Sequence, residues 1–192
     1  STFSQKGDDW VETTLGECGS TQTGSTPKKA NPEHYGNHIP FIKPGDFNED
    51  GSLNYDNEGL STSGLSVSRL VQENSALMVC IGATIGKSGW CEREITTNQQ
   101  INALTPRENL YAKFAYYQFT TSSFQNLVHG SSGQATLPII NKSKWCNLPF
   151  VLPPLPTQQA IVEKLDALSE ETKALEAIYE RKKAALTELK QS

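Results

Sequence analysis

Apolar residues along this chain come in two rhythms. From Trp10 to about Pro156 they form short runs between clusters of Gly, Ser, Thr, Asn and Pro, the texture of strands joined by loops. Val11 to Leu15, Ile39 to Lys43, Ala76 to Ile81, Ile95 to Leu104 and Phe150 to Leu152 are the strand candidates, several bounded by a Gly or Pro. Between Asn109 and Val128 the rhythm changes. Leu110, Phe114 and Tyr117, with Tyr111 and Ala115 beside them, recur at helical spacing, and Ser122 or Ser123 can cap a second short helix through Val128. The expected fold is α+β.

The second rhythm starts abruptly. Leu152-Pro153-Pro154-Leu155-Pro156 resists helix, because proline lacks an amide donor and restricts the residue before it. Thr157 can then act as an N-cap, and Gln158 to Leu189 holds neither Gly nor Pro while being dominated by Ala, Leu, Glu, Lys and Gln. The prediction is a globular part, residues 1–156, followed by one helix in residues 157–192, roughly 50 Å long at ~1.5 Å per residue. Sevens counted from Leu168 give Leu175, Lys182 and Leu189, and from Leu165 give Thr172, Tyr179 and Leu186. Six of these eight positions are apolar, an a/d seam with two polar breaks. Interleaved charges such as Glu163, Lys164, Glu170 and Lys173 favour a narrow coiled-coil seam over a broad face folded onto its own domain. Ile161, Leu165, Leu168, Leu175, Tyr179, Leu186 and Leu189 are therefore the expected interface, with the partner helix coming from a second molecule. Lys182 on the seam would set register at some cost in stability.

Composition narrows the class. The chain has 192 residues and a formal charge of −4, whereas a domain that holds nucleic acid unaided is usually basic. No run approaches the ~20 apolar residues of a membrane span. No apolar leader is visible near residue 1, so the expectation is a soluble, cytoplasmic protein without a membrane partner. Cys18, Cys80, Cys91 and Cys146 lie far apart with no C-x-x-C pair and read as reduced thiols, Cys80 being a small core residue.

Catalytic motifs fail on spacing. Gly82-Ala83-Thr84-Ile85-Gly86-Lys87-Ser88 follows a strand-like run, but three residues separate the glycines where a phosphate loop needs four, so a turn between strands is expected. His34 and His38 stand four apart without the Glu of H-E-x-x-H, and Gly36 lies between them. His129 precedes Gly130-Ser131-Ser132-Gly133, which lacks the G-x-S-x-G order. Leu152-Pro153-Pro154-Leu155 offers no amine acceptor at the first position of an amino-methyltransferase tetrad. Asp46, Glu49 and Asp50 beside Gly51 resemble a solvated turn more than a metal cage or a carboxylate pair. The expectation is a protein with no catalytic centre, no metal and no cofactor of its own.

Binding signals remain. Basic, hydroxyl and amide side chains gather in loops at residues 23–29, 43–47, 66–69, 87–90 and 96–100, the residue types that hold phosphates and read base edges. Any soluble surface offers similar loops. With 11 basic against 14 acidic residues up to Pro156, an unaided grip on DNA would be weak.

The order of features resembles a known family. Trp10-Val11-Glu12-Thr13-Thr14-Leu15-Gly16-Glu17, Gly24-Ser25-Thr26-Pro27 and Ile39-Pro40-Phe41-Ile42-Lys43-Pro44-Gly45-Asp46-Phe47 are similar to the opening of a target recognition domain from the specificity subunit of type I restriction-modification enzymes. Ile81-Gly82-Ala83-Thr84-Ile85-Gly86-Lys87 and Thr97-Asn98-Gln99-Gln100 resemble its middle, and residues 148–162 its junction into a helical spacer. A Gln stands at both 158 and 159, where the family commonly shows Glu-Gln. The resemblance implies a non-catalytic DNA reader. It would recruit methyltransferase subunits that use S-adenosylmethionine and, with a translocase subunit, form the restriction complex. Family members usually carry two recognition domains and two antiparallel spacers, and this chain shows one of each. The expectation is thus a homodimer reading an interrupted palindrome, its half-sites about one helical turn apart. Thr26, Lys28, Lys29, Lys43, Arg69, Lys87 and Arg93, with Gln99 and Gln134 as base readers, are the expected contacts to double-stranded DNA. The competing readings are a coiled-coil protein whose head binds another protein, and an enzyme with an unrecognised site.

Overall fold

A computed structural model describes residues 7–133 and 137–191, with side chains described except at 185 and 188–191. The first strand, β1 (Val11–Thr14), pairs antiparallel with the last, β10 (Pro149–Leu152), and so ties the two ends of the globular part together. A single turn, α1 (Leu15–Cys18), follows β1 and leads into β2 (Gly19–Thr23). β2 is the edge of an antiparallel sheet completed by β9 (Ile101–Pro106), β6 (Ser75–Val79) and β7 (Ser88–Cys91), in the order β2-β9-β6-β7. A second sheet has the order β4-β3-β8-β5, formed by β4 (Gly59–Leu60), β3 (Tyr35–Ile42), β8 (Ile95–Thr97) and β5 (Leu70–Val71). In it β3 and β8 run parallel and the other pairs antiparallel, so the fold is α+β as the sequence predicts.

The reason for the continuous apolar run at 76–81 lies in packing. Ala76 and Met78 point into a core shared with the helices, while Leu77 and Val79 point into a core shared with Ile42, Val71 and Ile95. A strand covered on both faces needs no alternation. The predicted segment Ile95 to Leu104 is two strands in two sheets. Asn98 accepts from the Gln100 amide and donates to the Gln100 side chain, closing a polar turn that carries the chain from β8 to β9. The run from Gly82 to Lys87 is a turn joining β6 to β7, with both glycines at positive φ, and Ser88 opens β7.

Helices close the first core. α3 (Ala112–Phe119) lays Phe114, Ala115 and Phe119 on the sheet, and α4 (Ser122–Ser131) adds Phe124 and Val128. The cap of α4 is Thr121, whose hydroxyl accepts from the Phe124 amide, and neither Ser122 nor Ser123 serves. Short helices α2 (Thr62–Ser66) and α5 (Lys142–Cys146) complete the head, and Trp145 of α5 meets Phe119 edge-on at 6.1 Å between centroids.

The long helix α6 (Leu155–Gln191) starts two residues earlier than the sequence predicts. The Pro154 carbonyl accepts from the amides of Thr157 and Gln158, so Thr157 already lies inside the helix and caps nothing. Pro156 sits in the first turn, where a missing amide costs no helical bond. Ile161 and Val162 are buried in the head's first core and Leu165 is half-buried against it. That corrects the expected interface: Ile161 is sequestered by its own domain and Leu165 largely so. Beyond Lys173 every described side chain of α6 is exposed. No helix among the described residues is long and apolar enough to cross a membrane.

Candidate nucleic-acid interface

Three loops converge where β2 ends. Gly24 donates its amide to Ile101 O, and Ser25 donates to Thr97 O, which presses the chain after β2 onto the β8–β9 turn. The approach is so close that a Cβ on Gly24 would lie 2.2 Å from the Asn98 carbonyl oxygen, so this position requires glycine. Thr26 then donates to Gln99 Oε1. From the third loop, ahead of β5, Arg69 donates to Thr23 O at 2.7 Å, while Gln22 reaches back to Leu70 O at 2.6 Å. Lys28 and Lys29 stand exposed on the next turn, which Tyr35 steadies by donating to Pro27 O. The fold thus assembles Thr26, Lys28, Lys29, Arg69 and Gln99 from three distant stretches of sequence.

The chemistry of that cluster suits a polyanion with hydrogen-bonding edges. Three cations and a primary amide, Lys28, Lys29, Arg69 and Gln99, face solvent there. On these same loops the side-chain oxygens of Ser25, Ser68 and Thr97 are buried without a protein partner.

The remaining expected contacts divide. Lys43 follows β3 and lies 5.5 Å from the Phe41 ring centroid, but its ammonium is paired with Glu58. An exposed pair of this kind contributes little to stability. Arg93 lies 4.2 Å over the Tyr55 ring, at a polar cleft of about 370 Å³ that Asn37, His38 and Glu58 also line. Asn37 and Tyr55 are cleft residues that sequence reading missed, and His38, weighed there only with His34, joins them. Their positions carry no motif, and only strand pairing brings them to Arg93. Lys87 sits apart from both groups, on the β6–β7 turn near Tyr116, Thr120 and Gln125. Gln134 lies outside the described residues.

Other candidates fall into place as ordinary structure. His34 contacts Asn31 at 3.2 Å and Ser63 at 3.4 Å through its two ring nitrogens. Asp46 accepts from the Lys43 amide and from Asn57, which closes the loop after β3. Burial pushes the Cys80 thiol up to about 12 and the Cys18 and Cys91 thiols up to about 11. The described residues include no group of three or more His, Cys, Asp or Glu placed to hold a metal ion.

The helix supplies the second surface. Leu168, Leu175, Tyr179 and Leu186 form an exposed stripe, Leu175 and Tyr179 at 66% and 67% exposure. Ile178 lies beside it and escaped the count in sevens. Leu189 is placed within α6, its side chain outside the described set.

This combination of a mixed head and a long protruding helix can be compared with known proteins. The family model for the type I restriction modification DNA specificity domain matches residues 7–186. The chain belongs to this family. Among curated relatives, the specificity domain is 29% identical over 148 residues to the type I restriction enzyme HindI specificity subunit of Haemophilus influenzae, covering 75% of this chain and 32% of that protein. It is 26% identical over 184 residues to the MjaIX specificity subunit of Methanocaldococcus jannaschii, covering 90% and 41%. Against the EcoR124I/EcoR124II specificity subunit of Escherichia coli it is 29% identical over 160 residues, covering 80% and 39%. The chain therefore spans about a third to two fifths of the length of these relatives. Two solved structures share the fold. One, from work on complex assembly and conformational transition of the type I R-M system, superposes at a TM-score of 0.77 with 21% identity, over 96% of this chain and 44% of that one. The HsdS subunit from Thermoanaerobacter tengcongensis gives 0.68 with 22% identity, over 90% and 40%.

Proposed function

We propose that this specificity domain is the DNA-reading, non-catalytic part of a type I restriction-modification system, and that it acts as a homodimer joined through α6. The observation that carries the proposal is the pairing of one polar-loop cluster at the head with one exposed apolar stripe on the helix. Neither is complete alone. A single cluster with two lysines and an arginine holds DNA weakly, and a bare stripe of leucines in water is a surface awaiting a partner.

The charge order along α6 supports antiparallel pairing with a second copy. Glu163, Glu170 and Glu171 outnumber Lys164 near the head, whereas Arg181, Lys182 and Lys183 outnumber Glu180 toward the far end. Two helices running in opposite directions bring these blocks together, and a two-fold axis then presents two identical heads to inverted half-sites. In this reading S-adenosylmethionine and methyl transfer belong to recruited methyltransferase subunits, and cleavage to a translocase subunit. Double-stranded DNA in the cytoplasm is the ligand.

The test has two arms. Light scattering at micromolar concentration should give about twice the 21.1 kDa chain mass, and Leu175→Asp should give a monomer with unchanged circular dichroism. Duplex DNA should be retained in a salt-dependent manner when methyltransferase subunits are added. A monomer under all conditions would sink the dimer. A head that retains no duplex with those subunits present would leave the coiled-coil protein-binding reading in its place.

A further inference from the structure

We infer that Asp50 and Asp166 are positioning residues: they set the angle at which α6 leaves the head, and through it the separation of the two half-sites. The second half of this statement rests on the dimeric DNA-reading proposal above; the first half does not.

Helix α6 is held at three levels. At the base, the Gln158 side chain accepts from the Tyr111 amide and donates to the Asn109 and Pro153 carbonyls. Two turns on, Asp166 accepts from Lys113 at 2.7 Å and from the Tyr117 hydroxyl, both on α3. Two turns further, Lys173 donates to Asp50 Oδ2 at 2.9 Å, on the loop that follows β3. The base and the last contact lie 15 residues apart, roughly 22 Å of helix at ~1.5 Å per residue. A rod held at its base can swing. The same rod held at three levels, by two separate elements, swings less.

The two carboxylates are placed before they meet the helix. Asp50 Oδ1 accepts from the amide and hydroxyl of Ser52, which leaves Oδ2 directed at Lys173. Gly51 next to it sits at φ +82° with the Tyr116 ring so close that a Cβ would lie 2.2 Å from it, and its carbonyl accepts from the Trp90 amide. Lys113 lies 4.6 Å over the Trp90 ring as it reaches Asp166. The stripe clears the clamp only beyond it. Leu168 still lines a cleft with Asp50 and Lys173, whereas Leu175, Tyr179 and Leu186 further along stand exposed for a partner helix.

Small angles matter because α6 is a long lever. A tilt of ~10° about the base moves a point ~50 Å along the helix by roughly 9 Å, which is two to three base-pair steps of ~3.4 Å. Loosening the clamp should therefore blur the spacing while leaving each half-site's bases unchanged.

The experiment places paired spin labels, on non-natural side chains at Val67 and Glu180, in the full chain diluted with excess unlabelled chain. The double variant Asp50→Ala/Asp166→Ala should broaden the label distance distribution by up to roughly 6 Å, the displacement of a ~10° tilt at Glu180, ~33 Å from the base. The conservative variant Tyr117→Phe should broaden it in the same direction but less, and Glu94→Ala, on the exposed head surface, should leave it unchanged. Equal distributions in wild type and both clamp variants, with thermal melts showing all folded, overturn the clamp. In parallel, selection from a random duplex library with methyltransferase subunits should return one half-site separation for wild type and several for the double variant, with the same bases. A broadened distance with an unchanged separation overturns the link to spacing. If wild type enriches no DNA, the spacing claim falls with the DNA-reading proposal, while the label distances still decide the clamp.

Discussion

Gly51 shows how much one residue can hold. Its φ of +82° lies in the left-handed region, and the Tyr116 ring fills the space a side chain would need. Gly51→Ala should cost about 2 kcal/mol, the usual range for a strained backbone position, and thermal unfolding would register it as a lowered Tm. The cysteines give a chemical readout of burial. Since desolvation raises Cys18, Cys80 and Cys91 to about 11–12, their thiolate populations at pH 8 are negligible. A disulfide reagent should leave these three unreacted in the folded protein and modify them on unfolding. Reaction of all three at native rates would show that the core is open. At this scale the sequence is a good guide to type and a poor one to partner. Cys80 reads as core from its apolar neighbours, but nothing near Asp50 in sequence announces Lys173.

Elements were legible where their apolar pattern was local. The strands around 11–14, 39–42 and 76–79 and the helical spacing from 112 onward follow from residues within a few positions of one another. β2 was not legible, because Gly19-Ser20-Thr21-Gln22-Thr23 has no apolar run and becomes a strand only by pairing with β9. The same limit applies to α6, whose period continues from Ile161 to Leu186 across two polar breaks although the head buries one end and leaves the other bare. Two substitutions separate those roles. Ile161→Ala should lower stability by about 3 kcal/mol, as other large-to-small core changes do, with little effect on association. Leu175→Ala should do the reverse, weakening dimerisation while the unfolding of the head in denaturant stays within about 0.5 kcal/mol. Equal effects at both sites would mean that the stripe and the core are one surface.

For the whole molecule, charge and pH give the remaining tests. Lys28→Ala with Lys29→Ala should weaken DNA binding evenly across sequences and reduce the slope of log affinity against log salt by about 2, the effect of two lost phosphate contacts. A loss confined to one base position would assign these lysines to readout instead. Acid acts on the clamp. The Ser52 hydroxyl first, and Lys173 next, lower Asp50 from its ordinary 3.8 to about 2. A depressed folded-state value means that the contact is fully present above pH ~4 and is lost as pH falls through ~2. Because the pair is partly exposed, its energy is small, and the label distances will report its loss better than the melting curve. What the sequence alone determined is what local chemistry can encode: a mixed head, a proline break, a long helix with an apolar period, and the residue types suited to phosphate and base edges. Only the tertiary structure decided which of these residues meet. Strand pairing gathers Thr26, Arg69 and Gln99 from three loops, and the docking of α6 divides one continuous heptad into a buried root and an exposed seam. A helical period records which side of a helix is apolar, but whether that side is covered depends on how far the neighbouring domain extends along it.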